Sequence, residues 1–294
     1  MSYRRSAGEQ VFGLFNVAAM LALAFATLYP FLYVTLASFS DAGLLLRHRG
    51  LLLRPLGFVT ASYKMVFSNP VLLSSYVNTI IYVTAGTSLS VVLTVCGAYA
   101  LSRKGVLLRG PITFFIVFTM WFSGGMIPLF LLVRDIGLLN SRFALVLPSA
   151  VNTYNLIVML SYFRTIPDSL DESARIDGAN DYVIMLRIIV PLATPVISVI
   201  ALFYAVGIWN AWFHAMIFLG DRKLYPVQLI LREILILNDT NRLMGGAVAQ
   251  GEQVQVGETI KYATAVVATA PVLAIYPFVQ RYFVKGIMIG AVKG

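Results

Sequence analysis

The chain has 294 residues, of which 59% are hydrophobic and only 12% charged. At a mean hydropathy of +0.82 it lies far from the soluble average of about a quarter charged, which excludes an ordinary water-soluble globule. The net charge of +9 is carried by basic residues scattered through every loop, an arrangement that argues against nucleic acid and favours lipid headgroups as partner. The single cysteine, Cys96, excludes an intrachain disulfide framework and a CxxC metal site.

Six stretches contain no Asp, Glu, Lys or Arg: 11–40, 65–102, 110–133, 143–163, 188–220 and 262–280. A hydrocarbon core of about 30 Å is crossed by about 20 helical residues, so each window is long enough to span. Backbone amides in lipid must be satisfied within helices or closed barrels, and the windows lack the alternating apolar pattern of barrel strands. The expectation is an all-α integral membrane protein of six transmembrane helices, at about 11–38, 74–102, 110–133, 143–163, 191–219 and 262–281. With no linker, low-complexity tract or repeat, residues 1–294 read as one domain.

In chain order, Arg4 and Arg5 precede an apolar run with an Ala24-Phe25-Ala26 triplet that resembles a secretory signal. The run continues to Ser40, so an uncleaved first helix is the expectation. Arg103, Lys104 and Arg109 crowd the turn after the second window. Together with Arg4 and Arg5 they place the N-terminus and that turn in the cytoplasm. Segments 41–64, 134–142 and 221–261 then lie outside. Within the last of these, Leu229, Ile230, Glu233 and Ile236 recur at helical spacing and predict a short surface helix over 225–237.

Between the fourth and fifth windows, residues 164–190 are polar and punctuated. Ser169 with Glu172 forms a capping-box pattern, and Asp168, Asp171 and Glu172 suit the positive end of a helix dipole. Gly178 supplies a stop. Asn180 or Asp181 caps a second helix through Tyr182, Met185, Leu186 and Ile189, which Pro191 ends. A rigid amphipathic knuckle is predicted.

Glu172-Ser173-Ala174, three residues, Gly178, nine residues, then Ile188-Ile189-Val190-Pro191 resembles the EAA loop of ABC importer permeases. Ser173 and Val190 depart from the consensus, as small or near-isosteric changes. Trp121-Phe-Ser-Gly-Gly-Met-Ile-Pro128, the stretch from Ala201 to Trp212 and the ending Gly286-Ile-Met-Ile-Gly-Ala-Val-Lys-Gly294 resemble carbohydrate permeases of the maltose-transporter type. Within that type the similarity is to the branch for oligosaccharides and polysaccharides, including alginate and uronic-acid oligomers.

This resemblance implies a type I importer permease fold with a cytoplasmic coupling helix in 164–190. Glu172, Ser173, Ala174, Arg175, Asp177, Gly178 and Pro191 would then couple to a separate ATPase. It implies no cofactor in this chain, with ATP and Mg bound by the partner ATPase. The implied partners are a second homologous permease, two ATP-binding subunits and an extracellular or periplasmic solute-binding protein. The implied location is a prokaryotic plasma membrane, with both termini cytoplasmic.

For a sugar path, Asn152 and Asn155 share a helical face, and Trp209, Asn210, Trp212, Phe213 and His214 cluster further on. Indole faces stack on sugar C–H faces while amides bond hydroxyls. The same tryptophans equally suit an interfacial belt, and the asparagines equally suit interhelical hydrogen bonds. Outer Arg47, Arg49, Arg54, Arg134 and Arg142 either steer an acidic sugar or meet a binding protein or lipid.

Every Asp and Glu falls outside the six windows, which disfavours an ion-coupled secondary transporter. The absence of HExxH, GxSxG and paired intramembrane carboxylates disfavours an enzyme. Nothing matches GxxxxGK[ST], so ATP hydrolysis belongs to another chain.

Overall fold

A computed structural model describes residues 6–103, 105–243, 259–275 and 277. Arg4, Arg5, Lys104, the Gly286–Gly294 ending and the last residues of the sixth expected span lie outside the described residues. All regular structure among the described residues is helical.

Ser6 and Glu9 close a reciprocal capping box at the start of α1 (Ala7–Ser38). Short helices α2 (Ala42–Arg47) and α3 (Ala61–Ser68) follow, then α4 (Pro70–Ser102). Next come α5 (Arg109–Trp121), α6 (Met126–Asp135), α7 (Phe143–Val146) and α8 (Thr153–Phe163). The knuckle is α9 (Asp168–Ile176), α10 (Asp181–Ile184), a widened π turn over Met185–Ile189 and α11 (Val190–Leu192). Helices α12 (Thr194–Trp209), α13 (Phe213–Phe218), α14 (Val227–Leu243) and α15 (Thr259–Ile275) complete the order. The short helix expected over 225–237 is α14.

By length and composition, Gly8–Ser38 and Pro70–Ser102 each suffice to cross a membrane. Two helix pairs meet the same test only when each is taken together across a sharp bend, as a broken span or a re-entrant loop: α5 with α6 at 114°, and Asp181–Leu192 with Thr194–Trp209 at 84°. The third window was expected as one continuous stretch. It breaks where Ser123, Gly124 and Gly125 offer little helix propensity. In the fourth window, Pro148 follows α7 and separates it from α8.

The described residues fall into two compact units, one drawn from 1–69 and 233–269, the other from 70–232 and 270–294. In the first, Ala37, Leu45 and Leu52 are buried beside Tyr33 and Tyr262. The Tyr29 hydroxyl accepts from Leu52 N at 2.9 Å and Ser40 Oγ from Leu56 N at 3.0 Å. Ser62 Oγ donates to Thr259 Oγ1 at 2.8 Å, so distant segments of this unit are joined by a buried polar contact.

The second unit is built on α4, against which α8 and α12 pack. Small residues allow this approach in lipid: a Cβ on Gly86 would meet Ile208 Cδ1 at 2.8 Å. Val95, Ala98 and Tyr99 of α4 share one buried cluster with Leu156, Met159 and Phe163 of α8, Ala174 of α9, and Ile200 and Tyr204 of α12.

At the other end of α4, one turn of polar residues pins the segment before α14. Asn78, 3% exposed, donates from Nδ2 to Lys223 O at 2.6 Å and Tyr225 O at 3.3 Å. Its Oδ1 accepts from Arg142 Nη2 at 3.0 Å. The Tyr82 hydroxyl donates to Leu224 O at 2.7 Å, and Thr79 Oγ1 accepts from Val227 N at 2.8 Å. Asn78→Leu keeps the shape but strips these partners. The variant is expected to lose about 2 kcal/mol, because the bereft groups are partly able to rehydrate. A lowered Tm in detergent reads the loss, and an unchanged Tm contradicts the knot.

Candidate functional site

The knuckle starts at Pro167, whose backbone (φ −60°, ψ 132°) is extended and carries no side-chain cap. The expected capping box of Ser169 with Glu172 does not form. Proline fixes the helix start two residues earlier, which leaves Ser169 inside the first turn, with Leu170 N donating to Pro167 O at 3.2 Å. The acidic first turn of Asp168 and Asp171 is present as expected for a helix N-terminus.

The stop at Gly178 is a Schellman motif. Gly178 has φ +81°, Gly178 N donates to Arg175 O at 3.0 Å, and Ala179 N donates to Ala174 O at 2.9 Å. Asn180 Oδ1 then accepts from Val183 N at 3.0 Å and caps α10. Arg175 braces this turn from the side. Its Nε donates to Asp171 Oδ2 at 3.0 Å, and its Nη2 to the Asp181 carboxylate. These hydrogen bonds, Asp171's first, raise the guanidinium pKa.

Pro191 was expected to end the second helix, yet helix continues to Leu192. Proline has no N–H to offer the preceding turn and crowds it. The backbone answers by widening, with Val190 N bonding Met185 O. Thr194 Oγ1 donates to Pro191 O at 2.9 Å, and the chain turns at Ala193 into α12.

Only Ala174 of α9 is buried. Glu172, Ser173, Arg175 and Asp177 are exposed, and Glu172 makes no ion pair with another described residue. Ile176 is 87% exposed and Tyr182 75% exposed. Two large side chains are thus left uncovered on an otherwise polar knuckle. Sequence reasoning placed Tyr182 on the second helix without singling it out as exposed, and missed Ile176, although the amphipathic spacing of α9 contained the signal for it.

A cavity of about 350 Å³ lies among α4, α8, α12 and α13, with Asn152, Asn155 and His214 on its wall. Asn152 and Asn155 meet there by capping and not on a helical face: Asn152 precedes α8, and its Oδ1 accepts from Asn155 N at 3.1 Å. The Tyr204 hydroxyl, which the sequence did not single out, accepts from Asn152 N at 2.9 Å and bonds Thr94 Oγ1 at 2.8 Å. Asn155 is 5% exposed and lines the cavity. Among the described residues, no Asp, Glu, Lys or Arg is on the wall.

Trp209, Asn210 and Trp212 are not on that wall. Trp209 is buried beside Tyr76, ring centroids 6.5 Å apart. Asn210 Nδ2 donates to Val206 O at 3.0 Å and closes α12. The Arg232 guanidinium covers the Trp212 ring at 4.5 Å, a cation–π contact. His214 stacks on Phe218 at 5.6 Å.

Residues 55–289 match the family described as "Binding-protein-dependent transport system inner membrane component". The chain is 40% identical, over 97% of its length and 99% of the relative's, to the polygalacturonan/rhamnogalacturonan transport system permease protein YtcP of Bacillus subtilis (strain 168). It is 29% identical, over 95% of its length and 96% of the relative's, to the trehalose/maltose transport system permease protein MalG of Thermococcus litoralis. A chain in the crystal structure of a bacterial ABC transporter involved in the import of the acidic polysaccharide alginate is 34% identical. It superposes with a TM-score of 0.86 over 96% of this chain and 100% of that one.

Proposed function

This chain belongs to the binding-protein-dependent transport system inner membrane component family, and on that premise we propose that it is the membrane permease subunit of an ATP-driven importer of oligosaccharides or polysaccharides. The substrate class rests on what its relatives carry, polygalacturonan or rhamnogalacturonan in one and alginate in another. Its partners in this reading are a second permease, two ATP-binding subunits that hold ATP and Mg, and an external solute-binding protein. In this reading the chain crosses the plasma membrane six times with both termini in the cytoplasm.

The observation that carries the reading is the knuckle. Residues 168–178 form one short helix, closed by Gly178 and braced by Arg175, that offers Glu172, Ser173, Ile176 and Asp177 outward. Ala174 and Pro191 join it to the core and to α12. A compact helix of this kind transmits displacement from an ATPase to the spans, whereas a flexible loop would absorb it. Glu172 has no ion-pair partner among the described residues and so remains available to a basic group on the ATPase.

Asn152, Asn155 and His214 give a passing sugar hydroxyl partners in a wall that also carries Thr79, Tyr82, Ser149 and Tyr204, and Trp209, Asn210 and Trp212 shape the end of α12 beside it. Uptake by the assembled transporter in proteoliposomes tests both levels. Uptake is expected to require ATP and to survive an ionophore; dependence on an ion gradient without ATP overturns the reading. In the same assay Asn155→Ala is expected to raise the apparent KM about fivefold, the value of one hydrogen bond. Unchanged kinetics in both Asn155→Ala and Trp209→Ala, at normal membrane abundance, remove these positions from the path.

A further inference from the structure

The end of α4 and the first turn of α9 meet through charge. Arg103 Nη1 lies 3.3 Å from Asp171 Oδ1, with side chains only 16% and 17% exposed. Arg103 is fixed from its own side: Nε donates to Ser102 Oγ at 3.0 Å, and the guanidinium lies 4.8 Å from the Tyr99 ring centroid. Its carbonyl accepts from Arg109 Nη1 at 3.4 Å, which ties in the start of α5. From the other side, Asp171 Oδ2 accepts from Arg175 at 3.0 Å, and Arg175 reaches Asp181 on α10. One carboxylate therefore joins α4 through one oxygen and the knuckle through the other.

Burial on α9 itself is slight. Ala174 is its only buried residue, and a crevice of about 810 Å³ opens beside Tyr99, Arg103, Asp171 and Tyr182.

The two bonds of Asp171 also differ in kind. The contact to Arg175 is a directed hydrogen bond inside the knuckle, whereas Asp171 Oδ1 has no aligned donor and meets Arg103 by charge alone. A charge contact tolerates angular change that a hydrogen bond does not. The knuckle is thus stiff within itself and can pivot where it meets α4.

We propose that Arg103 is a positioning residue for energy coupling, the pivot through which movement of α9 and α10 reaches α4. This rests on reading α9 as the helix that receives force from the ATPase.

The test uses the assembled transporter in proteoliposomes and measures sugar taken up per ATP hydrolysed, alongside crosslinking of Ile176→Cys, in a Cys96→Ala background, to the ATPase. Arg103→Gln is expected to lower uptake per ATP about tenfold, a typical coupling magnitude, while hydrolysis and crosslinking persist. Arg103→Lys, which keeps the charge, restores most of the ratio, and Asp171→Asn reproduces the loss from the other partner. An unchanged ratio in Arg103→Gln overturns the pivot. Should Arg103→Gln fail to accumulate, an Asp171→Asn ratio equal to wild type overturns it equally. Absence of any crosslink from residue 176 to the ATPase, in the otherwise active transporter, overturns the underlying reading of α9, an outcome distinct from a normal crosslink with a normal ratio.

Discussion

Gly178→Pro is expected to abolish uptake while the protein still accumulates in the membrane. The Gly178 backbone sits at φ +81°, which the proline ring, locked near −65°, does not reach. Proline also removes the N–H that bonds Arg175 O at 3.0 Å. With the Schellman turn gone, Asp181 swings away from Arg175 and α9 loses its brace to α10. None of the apolar windows is touched, so insertion survives. Substitutions at this position should grade by backbone strain alone, because a Cβ there meets nothing within 4 Å. Asparagine, which tolerates the left-handed region, keeps most activity; alanine, at about 1–2 kcal/mol of strain, keeps part of it. Uptake near wild type in Gly178→Pro, assayed in right-side-out vesicles at equal abundance, would remove the knuckle from the transport mechanism.

The features legible in the sequence were those that lipid or the backbone enforces locally. Uncharged windows became apolar helices because backbone groups in a bilayer have no other partner, and Gly178 and Asn180 act as stop and cap because their conformational roles span only a few residues. The misreadings had equally local causes: Pro167 outcompeted Ser169 for the helix start, and the Ser123–Gly125 run, quoted for its resemblance, is also a break. Pro191 widened its helix where it was expected to end it. What stayed hidden was tertiary. Asn78, Thr79 and Tyr82 read as polar residues in an apolar window, and only their carbonyl and amide partners around residues 223–227 reveal a knot. Arg103 read as a topology signal, and nothing near it in the chain announces Asp171. Asn152 and Asn155 were found as a pair, but through capping geometry that brings them to a wall shared with Tyr204.

The division of labour inside the knuckle explains why Glu172→Lys should be as damaging as the proline and for a different reason. Asp171 and Arg175 are consumed by internal contacts, and Ala174 is consumed by the core. Glu172 is exposed and has no ion-pair partner among the described residues, so inverting its charge leaves the fold of α9 intact. On the proposed reading the whole effect then falls on the surface offered to the ATPase. Replacing an attraction by a repulsion at a desolvated contact costs about 2–5 kcal/mol. At about 1.4 kcal/mol per factor of ten, uptake falls on the order of 100-fold. Unlike the proline variant, Glu172→Lys should keep the wild-type Tm and recover when an opposing basic residue on the ATPase is made acidic. Normal uptake in Glu172→Lys, with the ATPase still bound, would show that the outward carboxylate is not the contact and shift attention to Ile176 and Tyr182 at the same tip.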